Sequence, residues 1–214
     1  MRILTLDAAL ARCSAAVVRD GAVIAALVSD VGRGQPAALP PMAESVLREA
    51  GLSASALDLV AVTVGPGGFT GIRAALSLAH GIGLAAAIPV AGVTVGEALT
   101  ESAGRPLWVA LDSRRGQVFL ERPNEIRAFP LDALPLPDGP VALAGDAAPA
   151  VAALFEAAGV MAELTPLRLP EPAGIAAAVR RRRAGGLPPL AAQPLYVDPP
   201  AVHPPSRAPR PPPQ

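Results

Sequence analysis

Residues Val64 to Leu76 read VGPGGFTGIRAAL, and no other stretch limits the possible folds as tightly. A near-continuous apolar run, Asp58 to Val64, ends in Gly65-Pro66-Gly67-Gly68, and an apolar helix is predicted from about Phe69 to Ala87. An apolar strand of that kind belongs in a sheet covered on both faces. A glycine turn that launches a helix also presents backbone amides to phosphate. The loop Gly65, Gly67, Gly68, Thr70 and Gly71 is therefore a candidate anion or nucleotide cradle.

Three nucleotide readings can be tested on it. The P-loop needs Gly-Lys-Ser/Thr, and this chain has no lysine: all 18 basic residues are arginine. The dinucleotide fingerprint puts a third Gly or Ala where Thr70 stands, and expects an acid at the end of the next strand, near Val93, where there is none. A generic anion site at the helix amino terminus survives, but names no chemistry. Against all three stands the plainer reading. The glycines turn the chain sharply and let the helix sit close to the sheet.

The predicted helix is more informative than the loop. Ile72, Ala75, Leu76, Ala79 and Gly83 form one inner face, yet Ala74, Leu78, Gly81, Ile82 and Ala85 make the other faces apolar too. Only Arg73, Ser77 and His80 are polar between them. A helix apolar nearly all round is buried on more than one side. Its second cover is either the neighbouring helix, Leu39 to Ala50, or another molecule. No Asp, Glu, Lys or Arg occurs between Arg73 and Glu97, a length sufficient to span a bilayer. The internal Gly, His and Pro89, and apolarity drawn largely from alanine, argue against a span.

Around this unit the chain alternates strands and helices. Ile3–Asp7, Ser14–Val18 and Ala22–Val28 read as a meander, with Asp20-Gly21 as a hairpin turn. Ser29–Pro36 reads as a loop; Leu39, Met42, Ala43, Val46, Leu47 and Ala50 then recur at helical spacing, with Pro40 and Pro41 expected in the first turn. Val90–Val93 returns to the sheet, and Thr94 with Glu97 forms a capping box for another helix. Signals weaken afterwards. Leu107–Asp112 and Gln117–Leu120 flank the turn SRRG, followed by a strand at Val141–Gly145, a helix at Pro149–Ala158 and a last one from about Ala173 to Arg183. The tail from Pro199 is proline-rich and is predicted not to order. The pattern is α/β in two lobes.

Charges balance at 18 basic and 18 acidic, so no global field recruits nucleic acid. A single cysteine, Cys13, excludes internal disulfides and fits a reducing compartment. The opening MRILTLDAAL reads as a strand rather than a signal peptide. Two histidines, His80 and His203, are too few and too far apart for a metal centre.

Taken together, MRILTLDAALARCSAAVVRDG, Val64 to Arg73, IPVAGVTVGEAL and VALDSRRGQVFL resemble the TsaB (YeaZ) family in order and spacing, from Met1 to about Leu120, with an echo at Pro194–Val197. The resemblance implies an actin-like ATPase-domain (ribonuclease H-like) fold of two related lobes, the second reduced: residues 1–103, then 104–198, then a tail at 199–214. It implies a cytoplasmic, non-catalytic subunit without cofactor or metal. Such a subunit binds TsaD, the catalytic subunit that places threonylcarbamoyl on N6 of adenosine 37 in tRNAs reading ANN codons. TsaE completes the complex, tRNA is met through it, and no membrane is involved. Self-association in the absence of TsaD stays open. The family's interface is built from the two first-lobe helices, here offering Leu39, Met42, Ala43, Val46, Leu47, Ile72, Arg73, Ala75, Leu76, Ala79 and His80. Kinases and ATPases of this fold follow the first-strand Asp with Gly and Thr or Ser. Here Asp7 is followed by Ala8 and Ala9. The family usually has Thr at Ala8, a His-Ser or His-Thr pair at Gln35-Pro36, and Ser at Gly68, so donors are missing from the crevice. The rival functions are an active small-molecule kinase or ATPase of the same fold, and a glycoprotease-type peptidase. The runs Arg180–Arg183 and Arg114-Arg115 are solvated surface or tRNA contacts.

Overall fold

The computed structural model describes residues 1–30, 35–123 and 125–197. Two five-stranded sheets carry the fold. The first is built from β1 (Arg2–Asp7), β2 (Cys13–Arg19), β3 (Ala22–Ser29), β4 (Leu59–Gly65) and β5 (Val90–Thr94), in the order β3-β2-β1-β4-β5. β1, β2 and β3 are antiparallel neighbours; β4 and β5 join parallel to β1. The second uses β6 (Trp108–Asp112), β7 (Gln117–Arg122), β8 (Glu125–Pro130), β9 (Val141–Ala144) and β10 (Ala162–Leu164) in the order β10-β9-β6-β7-β8. Numbered from its own first strand, this is the same arrangement, so one unit occurs twice.

The turn chemistry explains the meander. Asp20 and Gly21 both have positive φ, 52° and 93°, which suits a tight hairpin between right-twisted strands. In β1 the side chains alternate: Leu4 and Leu6 face α1 (Gln35–Glu49) and α2 (Phe69–Ala86), while Ile3 faces α5 (Pro172–Arg183). The first sheet is thus covered on both faces, as its unbroken apolar strands require. Each large side chain buried there contributes roughly 1.5–3 kcal/mol. α1 begins before the expected start, so Pro40 and Pro41 fall inside the helix rather than in its first turn. Both prolines are exposed, so water can reach the backbone carbonyls that lose their intrahelical donors there.

α3 (Val95–Ala103) starts with the expected capping box: Thr94 accepts from Glu97 N at 3.0 Å, and Glu97 accepts from Thr94 N at 2.9 Å. It sits between α5 and the second sheet. Val95 and Leu99 share one apolar cluster with Val109, Leu111 and Ala144, which joins the lobes. α4 (Ala148–Ala157) covers the other face of the second sheet through Val151, Ala152 and Phe155. The strands β8 and β10 were not expected from sequence. The division at residues 103/104 separates the strands of the two sheets, but α5, from the later stretch, packs on the first sheet through Ile175, Ala176 and Val179. The expected loop at Ser29–Pro36 lies partly, and the tail from residue 199 wholly, outside the described residues.

α2 is long and apolar enough by composition to cross a bilayer. In this fold it lies along the first sheet, burying Gly71, Ile72, Ala75, Leu76, Ala79 and Gly83.

Candidate functional site

The glycine turn and the β1–β2 turn meet at the mouth of the crevice between the lobes. Gly68 N donates to Ala9 O at 2.7 Å. A Cβ on Gly67 would overlap that same carbonyl oxygen, and a Cβ on Gly71 would overlap the carbonyl of Ala8. The glycines therefore serve close backbone approach. The amide of Gly68 at the start of α2, which would face a phosphate, already binds the protein's own carbonyl. Thr70 is exposed on the first turn of α2.

Asp7, the acid that ends β1, is fully buried behind this contact. Its Oδ1 accepts from Thr63 Oγ1 at 2.5 Å and from Ala9 N at 3.1 Å. Burial pushes its pKa up to about 6, with the two hydrogen bonds and Arg12 pulling back. The crevice beyond has a volume of about 610 Å³ and is lined by Ala9, Pro66, Phe69, Asp112, Arg114 and Tyr196 among others. On its second-lobe wall, Arg114 sits at φ 60° in the β6–β7 turn, 3.5 Å from Asp112 and 3.6 Å from Asp146. Burial raises the Asp146 carboxyl, which accepts from Asp112 N at 2.9 Å. Among the described residues no group of three or more His, Cys, Asp or Glu is placed to hold a metal ion. Cys13 is buried beside Met42, its sulfur 3.8 Å from the thioether, and burial pushes its thiol up. That is the opposite of an activated nucleophile.

Most of the expected partner face is turned inward. Leu39, Met42, Ala43, Val46, Ile72, Ala75, Leu76 and Ala79 are all buried against the protein's own sheet. Leu47 is half-buried at the edge of the same core. Arg73 and His80 are exposed but engaged by a strap, residues 190–197, that crosses α2. His80 Nε2 lies 2.7 Å from Ala192 O, and Arg73 donates to Tyr196 Oη at 2.5 Å while stacking on Phe69, 3.5 Å from the ring centroid. Leu195 N donates to Val64 O at 2.9 Å, pinning the strap to the end of β4. The surface that α2 leaves outward is a different stripe: Thr70, Ala74, Ser77, Gly81, Leu84 and Ala85, with Leu84 87% exposed. Hydrophobic periodicity selects the face that packs inward, so a stripe of small residues escapes it; its one signal was apolarity on every side.

The arginine run is also largely consumed. Arg181 pairs with Glu101 at 2.6 Å, Arg182 pairs with Glu97, and Arg180 lies against the turn at Gly21. These contacts hold α5 on α3 and on the meander.

A duplicated unit of this strand order, with its crevice between the lobes, is the actin-like ATPase-domain fold. Comparison with known proteins refines that class. The family described as "TsaD: tRNA N6-adenosine threonylcarbamoyltransferase" matches residues 31–133. The chain is similar to the tRNA threonylcarbamoyladenosine biosynthesis protein TsaB of Escherichia coli, 33% identical over 56% of this chain and 53% of that one. It is 35% identical to an uncharacterized protein of Mycobacterium tuberculosis over 83% of this chain and 84% of that one. Its fold matches YeaZ from Pseudomonas aeruginosa with TM-score 0.73 and 25% identity, covering 91% of this chain and 99% of that one. The chain belongs to the TsaB (YeaZ) family. Its match spans about half the length of the E. coli TsaB.

Proposed function

We propose that this chain is a non-catalytic, cytoplasmic subunit of the machinery that forms N6-threonylcarbamoyladenosine on tRNA, acting by binding TsaD. The observation that carries the reading is the closed cradle: Ala9 O occupies the Gly68 amide, and Asp7 is sealed behind it. A kinase or ATPase of this fold needs both free. A peptidase would need a nucleophile, and Cys13 is buried with its thiol pushed up. The pathway named for the TsaB relatives and the TsaD-like match support the partner. The partner's helices would pack on the small-residue stripe of α2, where small side chains let helix axes approach closely.

Reconstitution tests it. TsaD and TsaE of the same organism are expected to modify tRNA only when this chain is added, and the chain alone to show no ATP hydrolysis. Gly81 has open space where a Cβ would sit. Gly81→Arg and Ser77→Arg should therefore fold yet lower TsaD co-purification at least tenfold. Modification without the chain, or undiminished pull-down by both variants, counts against the proposal.

A further inference from the structure

A second cavity, of about 670 Å³, lies between α3, the β7–β8 hairpin and the end of α5, and shares no lining residue with the crevice. Small-ligand pockets hold about 300–1,000 Å³. Leu107, Val109, Ile126 and Leu187 give this one an apolar wall. Glu121 of β7 also lines it and is only 9% exposed. Val118 and Leu120 of the same strand point to α4, so Glu121 takes the opposite face, toward α3. One of its oxygens accepts from Thr94 Oγ1, and the other accepts from Gly96 N at 2.9 Å. Both donors sit at the amino terminus of α3, which makes a socket for the ionised carboxylate. A Cβ on Gly96 would overlap the carboxylate, so its place is fixed by packing as well. An ionised carboxylate has about four acceptor sites, and this one keeps part of that capacity for the cavity.

The other charges of the lining pair off without it. Glu97 of α3 pairs with Arg182 of α5, and Glu101 of α3 with Arg181. On the second sheet Arg122 pairs with Glu125, and after α3 Arg105 pairs with Glu163. Among the described residues, Glu121 is the one charged group of the lining that has no ion pair. A negative charge is thus left over at the most buried acid of the cavity, and a buried charge without a partner is costly. Burial pushes the Glu121 pKa up to about 7 against the pull of its hydrogen bonds, the direction expected of a carboxylate that has donors but no counter-ion.

We propose that this cavity binds an organic cation, an ammonium or guanidinium group on a short apolar stem, with Glu121 as its counter-ion. The cationic head donates to the free lone pairs of the Glu121 oxygens, and the stem lies on Leu107, Val109, Ile126 and Leu187. A metal ion fits less well, because among the described residues no group of three or more His, Cys, Asp or Glu is gathered to hold one. An anion would meet the surplus negative charge. The site uses the lobes as they stand and needs no rearrangement of the joint.

The test titrates the full chain with butylammonium, butylguanidinium and a capped Gly-Arg-Gly peptide, with butanol as the neutral control. Carbon-13 NMR should show the Glu121 carboxyl shifting to saturation with a cation, and butanol binding weaker by on the order of tenfold. Glu121→Gln, which keeps an acceptor for Gly96 N but carries no charge, should lower cation affinity by a similar factor. Tighter binding of the peptide than of butylguanidinium supports a cation supplied by a protein side chain, and the reverse supports a free small molecule. No saturable shift with any of the three cations, butanol binding as tightly as they do, or undiminished cation binding by the variant overturns the proposal. Should the variant not fold, the wild-type comparison of cations with butanol decides alone.

Discussion

The two lobes repeat one strand order but solve the glycine turn differently. In the first, the turn after β4 is packed on the Ala8 and Ala9 carbonyls, and the acid that ends β1 is sealed inside. In the second, Gly145 after β9 packs just as closely on the Ala110 carbonyl. Yet Asp112, the counterpart of Asp7 at the end of β6, stays at the crevice wall beside Arg114. The same backbone approach therefore leaves one carboxylate dry and the other wet. A glycine turn of this kind is a packing device, and whether a ligand site remains depends on what the neighbouring turn places over it.

The largest test of the contrast is to charge the inner and outer faces of α2. Leu76 is 4% exposed, and Leu76→Arg is expected to cost more than about 4 kcal/mol and to lose the cooperative transition in urea. Ser77→Arg, one position along, should stay within about 0.5 kcal/mol of wild type. In the second lobe, Phe155 is fully buried beneath Trp108, ring centroids 6.0 Å apart, and Phe155→Ala should cost about 3–5 kcal/mol by the same measurement. Fluorescence of Trp108, the chain's single tryptophan, reports on that lobe.

A smaller effect than those of the two core substitutions belongs to Asp7. Its folded pKa is raised from 3.8 to about 6, so the stabilisation it permits is fully present below about pH 4 and is lost as pH rises toward 6. Asp7→Asn, which keeps an acceptor for Thr63 and Ala9, should gain about 2–3 kcal/mol on wild type between pH 4 and pH 7. A parallel stability profile for both proteins across that range would mean that Asp7 is hydrated after all, and the two lobes would then be alike.

Local chemistry made much of the fold legible. Asp20-Gly21, the Thr94 and Glu97 box, and the apolar run of β4 each state their own structure. What covers each face was not legible. Ile175, Ala176 and Val179 announce a buried helix face, but nothing local says that the cover for β1 and β4 comes from so late in the chain. The weak strands β8 and β10 carry little apolar pattern, because both are sheet edges. For the site, the alanines after Asp7 were legible, but the donors on the opposite wall, Arg114 and Tyr196, are brought to the crevice only by the fold. Most residues expected at a partner face lie buried, because the strongest periodicity marks the face that packs on the chain's own sheet. Glu121 carried one overlooked signal: a lone acid on the inward alternation of QVFLER.

The late position of α5 has a consequence for synthesis. All five strands of the first sheet are complete by Thr94, but their second cover ends at Arg183. At ribosomal rates of about 5–20 residues per second, the sheet waits roughly ten seconds with Ile3, Val18, Leu59, Ala61 and Val93 bare on one side. A product that stops before Pro172 lacks this cover, and its exposed apolar face is expected to make it prone to aggregation.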